Sequence, residues 1–197
     1  MAEQQLSLLG LDAAQQPASR LFFAILPDAP ALARIASLAR RLCDERGLHR
    51  RPIPADRLHA TAHFIGDFAD LPPAVLAKAR QAAASVASPR FEVCFDRAGS
   101  FSGRPGSRPV VLRGGEGVAA FAEFQRSLSM AIHRAGLTQT MTKGAFTPHV
   151  TILYDDAHID EQAVEPVRWD VSEFVLMQSL VGKSRHVLLD RWPLAPA

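Results

Sequence analysis

The sequence predicts an α+β fold in which largely antiparallel sheets carry helices on their outer faces and two similar halves share a cleft. Three observations point there. Short apolar runs of strand length recur along the 197 residues. Helical segments do not alternate with them one for one, which argues against a doubly wound parallel sheet. The tripeptide His-x-Thr occurs twice, as His59-Ala60-Thr61 and His149-Val150-Thr151, ninety residues apart and each time in an apolar, strand-like stretch.

The elements follow in order. Residues 1–19 read as a flexible tail, and the folded domain is expected over 20–197. Residues 21–26 are a continuous apolar run closed by Pro27, the pattern of a central strand. Asp28 can cap a helix that has Pro30 in its first turn, apolar positions at Leu32, Ile35, Leu38, Ala39 and Leu42, and Gly47 as its stop. A proline-containing loop leads to the first His-x-Thr strand, which Gly66 ends. A second helix spans about 72–88. Residues 91–95 alternate at period two, residues 101–109 form a Gly/Ser/Pro/Arg-rich loop, and a strand resumes at Val110-Val111-Leu112. Helical spacing returns from Glu116 to His133 and closes at Gly136. After a polar loop at 138–144 comes the second His-x-Thr strand. Residues 155–166 are acidic and read as irregular. Residues 174–177 and 186–189 look like paired strands about a turn at Gly182-Lys183-Ser184.

Composition narrows the function classes. A net charge of +2 permits a local basic cleft without calling for a broad nucleic-acid footprint. Nineteen arginines against three lysines fit an Ala- and Arg-rich composition more simply than a selected nucleic-acid surface. No apolar run approaches the roughly 20 residues needed to span a bilayer, and no signal peptide is evident at the start. A cytoplasmic protein is expected, without membrane contact. Cys43 and Cys94 read as small apolar residues of a reducing compartment.

The repeated tripeptide carries the chemistry. Residues i and i+2 of a strand share a face, about 7 Å apart. Each copy therefore sets one imidazole beside one hydroxyl. Two copies facing each other supply two proton-transfer groups and two hydrogen-bond donors around one phosphorus. His59 and His149 are the candidate acid and base, and Thr61 and Thr151 the candidate phosphate donors. His63, at i+4 from His59, is expected on the same face about 13 Å away, either as a substrate contact at the rim of the cleft or as an edge polar residue. That is too far for the two rings to share a metal. His49, His133, His158 and His186 read as surface residues. Neither a Gly-rich phosphate loop, a Cys-His cluster nor a Gly-x-Ser-x-Gly elbow occurs, so neither metal nor cofactor is expected.

Extended to His59-x-Thr61-x-x-Phe64 and Pro148-His149-x-Thr151, the tripeptides resemble the two-histidine phosphoesterases. Within them the chain looks most like the bacterial RNA 2′,3′-cyclic phosphodiesterases, also called 2′-5′ RNA ligases. Residues 20–27, 58–66, 146–153 and 191–194 carry the likeness. The resemblance implies a bilobal, pseudo-symmetric fold, with two antiparallel sheets lining the cleft. It implies metal-independent opening of a cyclic phosphate on RNA or a nucleotide, reversible as ligation, with His149 as base and His59 as acid. In one respect the sequence departs from the pattern. Many members have an arginine three places after the second threonine, where this chain has Tyr154. The aromatic ring could stack on a base, while Arg185, Lys183 or Arg108 could replace the lost cation.

Other classes remain open at this level. The cleft could serve another small cyclic phosphate, or hold a nucleotide or RNA 3′ end without catalysis. Residues Gln5-Leu6-Ser7-Leu8-Leu9 resemble the peptide that docks on the bacterial sliding clamp, with Leu9 where an aromatic is usual. The same five residues also read as an amphipathic tail. A monomer is expected.

Overall fold

The structure is a computed structural model that describes residues 18–103, 108–137 and 146–196. The Gln5–Leu9 segment, the polar loop at 138–144 and the middle of the 101–109 loop lie outside the described residues. The elements run β1 (Ser19–Ile25), α1 (Ala29–Arg46), β2 (Ala60–Phe68), α2 (Pro73–Ala84), β3 (Phe91–Ser100), β4 (Arg108–Arg113), α3 (Ala119–Arg134), β5 (His149–Asp155), β6 (Gln162–Val171), β7 (Glu173–Leu180) and β8 (Arg185–Pro193). Short 3₁₀ turns precede β2 and α3.

The α+β class stands. The two expected sheets are hydrogen-bonded into one, of order β6-β3-β4-β5-β2-β1-β7-β8, with every neighbouring pair antiparallel. The join is narrow. Between β5 and β2 only Ala60 and Val150 pair, so within the sheet two four-stranded halves are joined by a single residue from each; outside the strands Pro89 bridges to Ala195.

Helix boundaries follow the local chemistry. Asp28 accepts from Ala31 N at 2.8 Å, and Gly47 ends α1 in the left-handed region at φ 61°. Ala31, Ile35, Leu38, Ala39 and Leu42 of α1 are buried, as are Phe121, Phe124, Leu128 and Ile132 of α3. The second helix stops at Ala84 rather than near 88, because Ser85 turns back with its hydroxyl donating to Ala82 O. All three helices share one large core with alternate strand residues such as Leu21, Phe23, Ile25, Ala60, Val150 and Leu176. The opposite face of the sheet carries a small separate cluster of Phe22, Ala24, Val175 and Met177, with Phe64 against it. Cys43 and Cys94 lie in α1 and β3 as free thiols.

One strand was hidden in the sequence. Residues 162–171, read as irregular as far as 166, form β6 at the sheet edge. Pro166 and the acidic residues mask it, and an edge strand tolerates proline. Its inward alternation is Val167, Trp169, Val171.

Candidate active site

Both His-x-Thr strands turn their middle residue into the helical core, since Ala60 and Val150 are fully buried there. Strand alternation then sends His59, Thr61, His149 and Thr151 to the open face. The antiparallel Ala60–Val150 pairing sets His59 toward Thr151 and Thr61 toward His149. The four side chains line one open pocket of about 300 Å³, as the doubled tripeptide predicts.

A bulge follows each threonine. In β2, Ala24 pairs with Thr61 and Phe23 with His63, leaving Ala62 as an extra residue. In β5, Val111 pairs with Thr151 and Val110 with Leu153, leaving Ile152 extra. The extra residue switches the side-chain parity beyond it. Phe64 and Tyr154, each three places after its threonine, therefore face the pocket and line it. The same switch corrects the reading of His63. It is not at the cleft rim but on the helical side, where its Nδ1 meets Ser129 Oγ of α3 at 2.8 Å.

The two imidazoles are anchored alike. His59 Nδ1 lies 2.7 Å from Arg57 O, and His149 Nδ1 lies 2.8 Å from Thr147 O. A carbonyl can only accept, so Nδ1 carries the hydrogen in both rings and Nε2 is left to exchange protons. Their surroundings differ. His59 is flanked by Phe22 at 4.9 Å and His186 at 5.1 Å between ring centres. His149 packs edge-on against Phe101 at 4.9 Å, and the Arg113 guanidinium sits over the Phe101 ring at 5.3 Å. Arg113 is paired with Glu161.

Burial holds these rings neutral. It is the main cause that lowers His59 to about 4, partly offset by the bond to Arg57 O, with His186, His149 and Arg57 adding to the depression. Burial also lowers His149 and His186, assisted by Arg113 and Arg57 respectively.

Several lining residues escape the sequence reading. His186, taken for a surface residue, reaches the pocket from β8, opposite Ser179 of β7. Arg20, Phe22 and Arg57 line it too. By contrast, Arg185 and Lys183 are exposed at the β7–β8 turn, and Arg108 donates to Asp156 O at 2.9 Å. None of these three lines the pocket. Among the described residues no cluster of His, Cys, Asp or Glu is arranged to hold a metal ion. No helix among them is long and apolar enough to cross a membrane.

Comparison with known proteins assigns the family and the fold. The sequence matches the 2′-5′ RNA ligase superfamily over residues 26–183. It is 30% identical over 183 residues to the RNA 2′,3′-cyclic phosphodiesterase of Escherichia coli K12, covering 89% of this chain and 96% of that protein. The fold matches E. coli LigT in apo form with a TM-score of 0.68 at 26% identity, over 91% of this chain and 98% of LigT. LigT has also been crystallised with 3′-AMP and with phosphate. The protein TT0787 of Thermus thermophilus shares the fold at a TM-score of 0.71 and 19% identity, over 90% of this chain and 98% of its own.

Proposed function

Because the chain belongs to the 2′-5′ RNA ligase superfamily, and similarity to the E. coli enzyme supports a phosphoesterase, we propose that it opens 2′,3′-cyclic phosphates on RNA or nucleotides. The observation that carries this reading is the single Ala60–Val150 pairing, which gathers two imidazoles and two hydroxyls in one pocket.

Water attacks the phosphorus in line with the 3′ oxygen. His149 Nε2 takes the water proton, the bond from phosphorus to the 3′ oxygen breaks, and His59 Nε2 protonates that oxygen. The product is a 2′-phosphate with a free 3′-hydroxyl. Thr61 and Thr151 donate to the non-bridging oxygens, where charge accumulates. The free site favours neutral rings, so the acid takes up its proton together with the anionic substrate. A second strand's 5′-hydroxyl in place of water would yield a 2′-5′ linkage by the same steps. All groups needed for acid–base transfer come from the chain itself, so the reaction proceeds without a metal.

A product-resolved assay on adenosine 2′,3′-cyclic phosphate and cyclic-ended oligonucleotides, run with a strong chelator, tests the proposal. The 2′-phosphate should form, and His59→Ala and His149→Ala should each lose at least about 10²-fold in rate. Activity abolished by the chelator and restored by zinc would overturn the mechanism. Binding without turnover would make the cleft a nucleotide-holding module.

A further inference from the structure

The pocket holds more hydrogen-bond donors than one cyclic phosphate can use. Arg20, Arg57, His59, His149 and His186 line it, the three imidazoles neutral in the free site, and among the described residues no carboxylate does. The two histidines and two threonines of the motifs are sufficient for the water, the leaving oxygen and the two non-bridging oxygens of the reacting phosphate. Arg20 is occupied by Asp67, to which its Nε donates at 2.9 Å. Arg57 has no carboxylate partner among the described residues, and its buried Nε has no hydrogen-bond partner there.

His186 differs from the two motif histidines in its protonation. Its buried Nδ1 faces no partner among the described residues, whereas theirs are tied to carbonyls. An orphaned lone pair costs less here than an orphaned N–H, so the hydrogen belongs on Nε2. That makes neutral His186 a donor where neutral His59 is an acceptor. The charge of Arg57 is felt by both rings. The two surplus donors both adjoin His59: the His186 ring centre lies 5.1 Å from that of His59, and Arg57 is the residue whose carbonyl holds the His59 ring.

We infer that Arg57 and His186 form a second phosphate subsite beside His59, which takes the 5′-phosphate of the nucleoside whose 2′,3′-cyclic phosphate is opened. In RNA this group is the next phosphodiester along the strand. In a short fragment it is a terminal monoester. Both present the same oxygens to a guanidinium and an imidazole N–H. The assignment rests on the cyclic-phosphate reading above, and it makes phosphate-bearing ends, rather than cyclic nucleosides, the favoured substrates.

The test compares kcat/KM for adenosine 2′,3′-cyclic phosphate, its 5′-phosphorylated form, and the dinucleotide ApA ending in a 2′,3′-cyclic phosphate. The 5′-phosphorylated form should be favoured over the unphosphorylated one by about tenfold, mainly through KM. The same preference for the dinucleotide assigns the subsite to an internal diester. Preference for the monoester alone assigns it to a terminal phosphate. In Arg57→Gln and in His186→Gln the ratio between phosphorylated and unphosphorylated substrates should fall toward one, whatever happens to the absolute rates. Arg57→Lys should retain part of it. Equal use of all three substrates by the unsubstituted protein would overturn the subsite and leave the phosphodiesterase reading standing. So would a preference that survives both glutamine variants. Turnover of none of them would overturn both readings.

Discussion

Ala60 and Val150 form the one residue pair between the adjoining strands β2 and β5, and each is the middle residue of a His-x-Thr tripeptide. The seam of the fold and the centre of the pocket are therefore the same place. Because both middle residues sink into the helical core, both polar pairs are forced outward. Bulges follow the threonines at Ala62 and Ile152, and β2 and β5 pair no further than Ala60 and Val150. The pocket opens where pairing stops.

This geometry gives the threonines separate work from the histidines. Replacing Thr61 or Thr151 by Val keeps shape and β-branching but removes the hydroxyl donor. Loss of one such donor to a charge-accumulating oxygen typically costs about 10²- to 10³-fold in kcat. We expect each variant to lose kcat on this scale, with KM changed far less and the thermal midpoint within a few degrees. A loss confined to KM would show that the hydroxyl binds substrate without favouring the transition state.

The parts of the fold legible in the sequence were those with strictly local causes. Asp28 and Gly47 bracket α1, and apolar spacing gives α3. Period-two alternation brought the two motifs to one face. The bulges were not legible, because Ala62 and Ile152 are ordinary apolar residues with no glycine to mark a break. His63 was assigned to the wrong face for that reason alone. His186 was missed because what makes it part of the site is its contact with Phe22 and His59, far away in sequence. Only the strand order, in which β8 reaches the pocket through β7 and β1, brings them together.

The pH dependence of activity should be shifted to the acid side. The productive form of the pair carries one proton, so kcat/KM peaks between its two apparent pKa values. Burial lowers both His59 and His149 from the ordinary imidazole value near 6.5, His59 to about 4. Raising the pH strips the acid, and lowering it protonates the base. We expect a bell-shaped kcat/KM profile on a cyclic mononucleotide with its maximum below about pH 6.5. An optimum near pH 8 would contradict neutral, desolvated rings in the free site.

His63 should matter to stability and not to catalysis. Ser129 Oγ accepts from Gln125 Nε2 and meets His63 Nδ1, both at 2.8 Å. Burial holds His63 at about 4 in the folded chain, below its unfolded value near 6.5. Between these values the unfolded chain binds a proton that the folded chain refuses. Stability therefore falls as the pH drops from about 6.5 toward 4. We expect His63→Gln to keep cyclic-phosphate turnover within about twofold and to flatten part of that slope in urea midpoints. A large loss of activity would return His63 to the cleft.

Asp155 fastens the approach to the first motif. Its Oδ2 accepts from the backbone N–H of His49 and of Arg50, and its Oδ1 from that of Ala157, each at 3.0 Å. The carboxylate is buried at the end of β5, and the segment it holds runs on to Ile53, which donates to Ile152 O at 2.7 Å, and then to Arg57, whose carbonyl anchors His59. The amide of Asp155→Asn cannot accept as strongly at both positions, and a buried bond to a charged acceptor is worth about 1.5–3 kcal/mol. We expect Asp155→Asn to lose stability on that scale at pH 7, and to lose kcat as the Arg57 carbonyl shifts. The backbone donors, Ala157 foremost, hold the carboxyl below the usual carboxylate range. A group depressed in this way stabilises fully above its unfolded value, near 3.9, and ceases to do so as the pH falls through its folded value. The urea midpoints of the two proteins should therefore run parallel from pH 8 to 5 and converge below about 4. A gap that persists undiminished at low pH would mean that Asp155 acts through packing rather than through its charge.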